Sequence, residues 1–147
     1  MAVPKWYANG LEHVTQSASG GSVDLDTDTI KLILLTSAYT PDQALHDFRD
    51  DLGANEATGG SGYPAGGFTL ASKTLAATSL TLNWDAADIS QAIVGGPFAF
   101  RYGVFYKSRG GAAAADEIVG YVDFGAQSVT DATLNITLTN QLTIVAS

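Results

Sequence analysis

Residues Val23 to Thr40 read VDLDTDTIKLILLTSAYT, and the fold turns on how this stretch is read. Asp24, Asp26 and Asp28 alternate with other residues and then give way to the apolar run Ile30-Lys31-Leu32-Ile33-Leu34-Leu35. The run is far too short to cross a bilayer, which takes ~20 apolar residues. In an extended chain successive side chains point to opposite sides, so Ile30, Leu32 and Leu34 face one way while Ile33 and Leu35 face the other. A strand that is apolar on both faces has to be covered on both, which places it in the middle of a core.

Upstream of this strand, Ser17 to Ser22 (SASGGS) has the composition of a loop. The segment before it, 1–22, reads as an N-terminal arm pinned by the large rings of Trp6 and Tyr7. Within it, Gly10 to Gln16 fits either one or two helical turns or a first strand. Residues 23–147 then form the folded domain. Immediately downstream, Thr40-Pro41-Asp42-Gln43 is a helix-start signal: a threonine N-cap, a proline in the first turn, and a glutamine that completes a capping box. Ala44, Leu45, Phe48 and Leu52 recur at one-turn spacings, and Gly53 supplies a stop. The pattern predicts a short helix over Pro41 to Leu52.

From Ala54 to Gly67 the chain (ANEATGGSGYPAGG) is loop chemistry, and its composition predicts a flexible surface loop. Beyond it, β alternation dominates. Strands are expected over Leu70 to Leu75, Leu80 to Trp84, Ile89 to Val94, Phe98 to Lys107, Ile118 to Phe124, Leu134 to Leu138 and Leu142 to Ile144. On Phe98 to Lys107, strict alternation puts Phe98, Phe100, Tyr102, Val104 and Tyr106 on one face, and Gly103 on the other leaves room for a close neighbour. Many strands separated by glycine-rich turns predict a mainly β protein, a jelly-roll-like antiparallel β-sandwich with one or two short helices.

A chain of 147 residues is most simply one domain, long enough to bury roughly 68–70% of its unfolded surface without a staple. It has no cysteine, which excludes thiol catalysis and cysteine-ligated zinc. The start, MAVPKWYANG, has no apolar segment of the signal-peptide kind, so synthesis in the cytoplasm is expected. Seven basic against fifteen acidic residues give a net charge of −8, which argues against a nucleic-acid partner.

Chemical motifs are sparse. Asp24-x-Asp26-x-Asp28 resembles the opening of a calcium loop, but Thr29 and Leu35 stand where that loop needs glycine and glutamate. The reading preferred is a turn whose carboxylates bond local backbone groups. Gly59-Gly60-Ser61-Gly62-Tyr63 misses a nucleophile elbow at its last position, and no lysine follows as a phosphate loop requires. His46 and Asp47 are sequence neighbours and diverge on a helix. No catalytic residue, metal site or cofactor is assigned. Arg101, Lys107 and Arg109 hold three of the seven basic residues. They fit either a solvated strand face or a small basic contact patch on an acidic protein. Trp84 reads as core; with Tyr102 and Tyr106 it would otherwise form a sugar platform.

The segments LDTDTIKLILLTSAYTPD, HDFRDDLGANEATGGSGYPAGGFTLASKTL, NWDAADI, FRYGVFYKS and IVGYVDFG, in that order, resemble a family of small virion proteins of tailed bacteriophages. Within that family the chain is similar to jelly-roll capsid cement, or decoration, proteins. The resemblance runs from about Val23 to Ile144. It implies a β-sandwich seated on the outside of the phage head, partnered by the major capsid protein and by further copies of itself as a dimer or trimer, with no membrane partner. The alternatives left open are a tail or head–tail component and a carbohydrate-binding sandwich; a hydrolase built from scattered acids ranks last. Contact candidates are Trp6 and Tyr7 in the arm, the loop Gly59 to Gly67 with Tyr63, the loop Ser108 to Asp116 with Arg109, and the basic residues Arg101 and Lys107.

Overall fold

The computed structural model describes residues 3–15, 23–139 and 142–145; the loop expected over 17–22 lies outside them. Ten strands are described: β1 (Lys5–Trp6), β2 (Ile30–Leu35), β3 (Phe68–Thr69), β4 (Thr74–Thr78), β5 (Thr81–Asp85), β6 (Ile89–Ile93), β7 (Phe98–Lys107), β8 (Ile118–Val129), β9 (Ala132–Ile136) and β10 (Leu142–Val145). One α-helix, α1 (Ala8–Thr15), and two short 3-10 turns, Arg49–Leu52 and Ala113–Ala115, complete the set. The protein is mainly β, an antiparallel β-sandwich. One layer is a five-stranded sheet in the order β1-β8-β7-β2-β3. The facing layer is built from the three-stranded sheet β10-β5-β4 and the pair β6-β9. Among the described residues no helix is long and apolar enough to cross a membrane.

Strand β2 lies inside the large sheet, between β7 and β3, and its two faces feed different cores. Ile30, Leu32 and Leu34 join Trp84, Ile93, Phe98, Phe105, Leu134 and Leu142 between the layers. Ile33 and Leu35 join Tyr7, Tyr39, Leu52, Tyr102, Val104, Tyr106, Ile118 and Tyr121 on the outer face. The double-sided apolar pattern of Ile30–Leu35 therefore has the physical cause expected of it. Trp84 is fully buried and its indole N–H donates to the Leu25 carbonyl at 2.9 Å.

Strand β7 departs from simple alternation. Its pairing with β8 shifts between Phe100 and Tyr102, where Arg101 alone stands against the stretch between Asp123 and Gln127. The irregularity turns the strand over. Phe98 and Phe100 pack between the layers, while Tyr102, Val104 and Tyr106 pack on the outer face, so the single five-residue face expected from the sequence is split. Gly103 does make room: a Cβ there would sit 2.9 Å from both Leu32 Cδ1 and Phe124 Cε2.

The N-terminal segment is not a separate arm. Lys5 and Trp6 pair with Tyr121 and Gly120 of β8. Helix α1 then lies so close to β8 that a Cβ on Gly10 would meet the Val119 carbonyl oxygen. The Ala8 N–H donates to the Gln43 carbonyl at 2.8 Å, and the Gln43 amide donates back to the Trp6 carbonyl. Residues 3–15 thus belong to the same folded unit as the sandwich.

The helix expected over Pro41 to Leu52 does not form. Asp42, not Thr40, acts as the cap: its Oδ1 accepts the N–H groups of Ala44 and Leu45 at 3.0 and 3.1 Å. One turn follows, and the chain then extends because other backbone competes for it. Asp47 O accepts from Ile118 N–H, and Arg49 N–H donates to Asp116 O. Leu45, placed on the apolar stripe by its spacing, is 75% exposed. A second side-chain cap, Asp51 Oδ2 to the N–H groups of Asp47 and Phe48, starts the 3-10 turn Arg49–Leu52. Gly53 follows this turn as the stop.

Candidate contact surfaces

The residues singled out from the sequence fall into two groups: those consumed by the fold and those left on the surface. Tyr7 is consumed. It is fully buried, and its hydroxyl lies 2.6 Å from that of Tyr39, which in turn lies 2.8 Å from His46 Nδ1. Burial pushes the Tyr7 hydroxyl far above the ordinary tyrosine range and raises that of Tyr39 to about 12. A contact role for Tyr7 is ruled out by that burial. Trp6 is half-buried, its indole N–H donating to the Thr143 carbonyl at 2.9 Å; it clasps β10 to the N-terminal strand. The other histidine, His13, sits 2.5 Å from Asp47 Oδ1 and beside the Phe48 ring, which locks α1 to the segment after Asp42.

The loop Gly59 to Gly67 is a strap, not the flexible loop expected from its composition. Ser61 and Val94 exchange backbone hydrogen bonds at 2.7 and 2.9 Å. The Tyr63 ring lies between Phe68 and Phe98. Its hydroxyl accepts the Leu34 N–H at 3.0 Å and donates to Glu56 Oε1 at 3.1 Å. That same Glu56 oxygen accepts the Gly66 N–H at 2.6 Å, and the Tyr106 hydroxyl donates to the Gly66 carbonyl at 2.5 Å. The glycines let backbone lie directly on backbone: at Gly67, φ is +91° and a Cβ would stand 2.4 Å from the Leu32 carbonyl oxygen. Tyr63 is therefore an anchor under the strap, with its polar atom already engaged.

The basic residues do not form a patch. Arg101 makes a two-pronged pair with Asp123 at 3.0 and 2.9 Å, both side chains 40% exposed. Lys107 reaches Asp28 at 2.7 Å, and Arg109 grips Glu117 at 3.0 and 2.6 Å. Each charge is matched by an acid on a different element or turn. The acidic run in front of β2 is likewise occupied. Asp24 Oδ1 accepts the N–H groups of Asp26 and Thr27, Asp28 Oδ2 accepts the N–H of Asp24, and Asp28 then takes Lys107. These are turn-forming bonds of the aspartate type. Among the described residues no group of three or more histidine, aspartate or glutamate side chains gathers as a metal would require.

The loop from Ser108 to Asp116 has a firm base and an open tip. Asp116 and Glu117 are buried, at 1% and 2% exposure. Asp116 accepts from Arg49 Nε and from the Arg109 N–H, both at 2.8 Å, while Glu117 takes the Arg109 guanidinium. Arg49 also lies over the Tyr106 ring. A buried carboxylate needs such partners to stay charged, so the loop ends are held where they are. Between them, 110–115 (GGAAAA) carries no charge and is exposed at all but Ala113; a Cβ on Gly110 or Gly111 would meet nothing within 4 Å.

Two further surfaces gave no sequence motif. A groove of about 730 Å³ opens between β8 and β9, lined by Phe100, Val122, Phe124, Val129, Leu134 and Ile136 among others, with no charge among the described residues of its wall. The hairpin β4–β5 stands at the edge of its sheet with every residue of β4 exposed. Composition could have flagged the hairpin, since no charge occurs between Lys73 and Asp85. The groove could not have been flagged, because it depends on how the consecutive strands β8 and β9 part into different sheets.

Comparison with models of protein families, with curated proteins and with solved structures found no match.

Proposed function

We propose that this protein is a structural virion component of a tailed bacteriophage: a cement protein that seats on the outside of the assembled head and braces the junctions of the major capsid protein. The resemblance of its ordered sequence segments to that family supports the reading, as does the mainly β sandwich. The observation that carries it is the loop 108–116. A charge-free, exposed tip stands on a base clamped by Arg49–Asp116 and Arg109–Glu117, on a chain of net charge −8. A surface of that kind binds without losing much conformational freedom. Several weak contacts of this sort add up when copies are held together on one shell. The reading assigns no catalysis to the chain. The carbohydrate alternative draws no support from the structure, because Trp84, Tyr102 and Tyr106 are all buried and offer no ring face to a sugar.

The test is cryo-electron microscopy of the virion together with binding of the purified chain to heads that lack it. Density over capsid subunit junctions, and binding weakened by Ala114→Glu at the tip with the fold intact, are expected. Density confined to the tail refutes the cement role.

A further inference from the structure

We propose that the outer edge of β4 is a self-association surface, where a second copy of this chain adds its own β4 antiparallel about a two-fold axis at Ala76. The inference does not depend on the virion reading: it concerns copies of the chain in solution, so either can fail while the other stands.

Strand β4 ends its sheet, in the order β10-β5-β4, and all its residues are exposed. Soluble proteins guard such edges with charges, prolines or bulges, because an open ladder recruits another strand. Here there is no guard: Thr74 to Trp84 (TLAATSLTLNW) contains neither charge nor proline, and the β4–β5 register runs unbroken from Thr74↔Asp85 to Thr78↔Thr81. Leu75 and Val145, exposed at 39% and 67%, lie on strands of this sheet, and Leu80, exposed at 67%, sits in its β4–β5 turn.

Register follows from the hairpin. Thr78 and Thr81 flank a two-residue turn in which Ser79 has φ 56°. Residues flanking such a turn form the hydrogen-bonded pair, and alternation along the strand gives Ala76 and Thr74 the same role. Leu75 and Ala77 therefore aim their N–H and C=O groups at the open edge. An antiparallel partner centred on Ala76 sets Leu75 opposite Ala77 of the second copy, and the reverse, closing four backbone hydrogen bonds. Thr74 then faces Thr78, a favourable cross-strand pair, and small Ala76 faces itself. The flanking Lys73 falls opposite Ser79, so no like charges meet. For a chain of net charge −8, an uncharged, self-complementary edge is where a second copy approaches with least repulsion.

The absence of cysteine makes a direct test possible. In the proposed register the two Ala76 residues form a non-hydrogen-bonded pair with Cα atoms ~4.5 Å apart, within the roughly 4.4–6.8 Å that a disulfide spans. The two Thr74 residues would lie ~13 Å apart along the strands. Under a mild added oxidant, Ala76→Cys should cross-link into dimers at least about tenfold faster than Thr74→Cys. Sedimentation of the full chain from micromolar to millimolar concentration should show a dimer that Ala76→Lys abolishes. The double variant Leu75→Lys/Ala77→Glu, which sets opposite charges across the two-fold, should keep it. Circular dichroism checks that each variant is folded. Equal cross-linking at the two positions, a monomer at every concentration, or a dimer that survives Ala76→Lys would each overturn the proposal. If β4 instead docks only on another protein, the isolated chain will be that monomer.

Discussion

Replacing Gly67 by alanine should cost far more than replacing either glycine of the 108–116 loop, and the structure says by how much. At Gly67 φ is +91°, and the new Cβ would stand 2.4 Å from the Leu32 carbonyl oxygen and 2.7 Å from Ile33 Cα, against 3.4–4 Å for an ordinary contact. The φ penalty for an L-residue there is ~1–2 kcal/mol. The overlap cannot be relieved by β2, which is hydrogen-bonded on both sides, so the strap must lift. Lifting breaks the Tyr106–Gly66 bond and loosens the Leu32↔Phe68 pairing, at ~1 kcal/mol for each hydrogen bond lost. The sum is about 3–5 kcal/mol, a large share of the ~5–15 kcal/mol that holds a domain folded. Gly110 supplies the control: φ is +75° but nothing lies within 4 Å, so alanine should cost only the φ term of ~1–2 kcal/mol. Gly111 has the same open space without a positive φ, and alanine there should be neutral or stabilise by up to ~1 kcal/mol. Urea denaturation, with midpoints compared at constant m, reads all three. If Gly67→Ala falls within about 1 kcal/mol of Gly110→Ala, the strap is not held as described.

Further outcomes follow from the packing and the charges. Trp84→Ala should destabilise by ~3–5 kcal/mol, since the ring is fully buried; Trp84→Phe should recover part of this but not the bond to the Leu25 carbonyl, and denaturation of the pair checks both. Arg49→Met should cost ~2–3 kcal/mol by leaving buried Asp116 short of a partner, whereas Arg101→Met should leave the denaturation midpoint unchanged, its pair being open to solvent. Acid should weaken the fold through carboxyls held below their usual range: Asp24 by its bonds to Thr27, and Asp51, where burial pushes up but the N–H groups of Asp47 and Phe48 more than reverse it. A depressed folded pKa gives stability that is fully present above the unfolded value of ~3.9 and is lost as pH falls through the folded value. Stability should therefore be flat above pH ~5 and fall below ~4, less steeply in Asp51→Asn, and an unchanged slope in that variant would remove Asp51 from the explanation.

Sequence by itself determined the β class and the burial of Ile30–Leu35 on both faces. Ile30–Leu35 could be read because side-chain alternation is a property of the backbone alone, and a strand apolar on both faces has few places to go. Most strand positions were legible for the same reason, as was the burial of Trp84. What failed depended on contacts between distant residues. The capping signal at Thr40–Gln43 was genuine local chemistry, but Asp47 and Arg49 found backbone partners at Ile118 and Asp116, and those bonds outweigh the propensity of a short helix. The face of β7 flips because β8 places extra residues opposite Arg101, which no pattern within β7 records. Glycines of the strap read as flexibility when they serve close approach, and only the partner backbone distinguishes the two. Candidate contacts suffered most. Tyr7, Tyr63, Arg101, Lys107 and Arg109 are chemically apt for binding, but tertiary structure gives their polar atoms to Tyr39, Glu56, Asp123, Asp28 and Glu117. Two of the surfaces that remain, the 110–115 tip and the edge of β4, are made of uncharged residues. A side chain's type tells what it can bind; only its neighbours tell whether it is already bound.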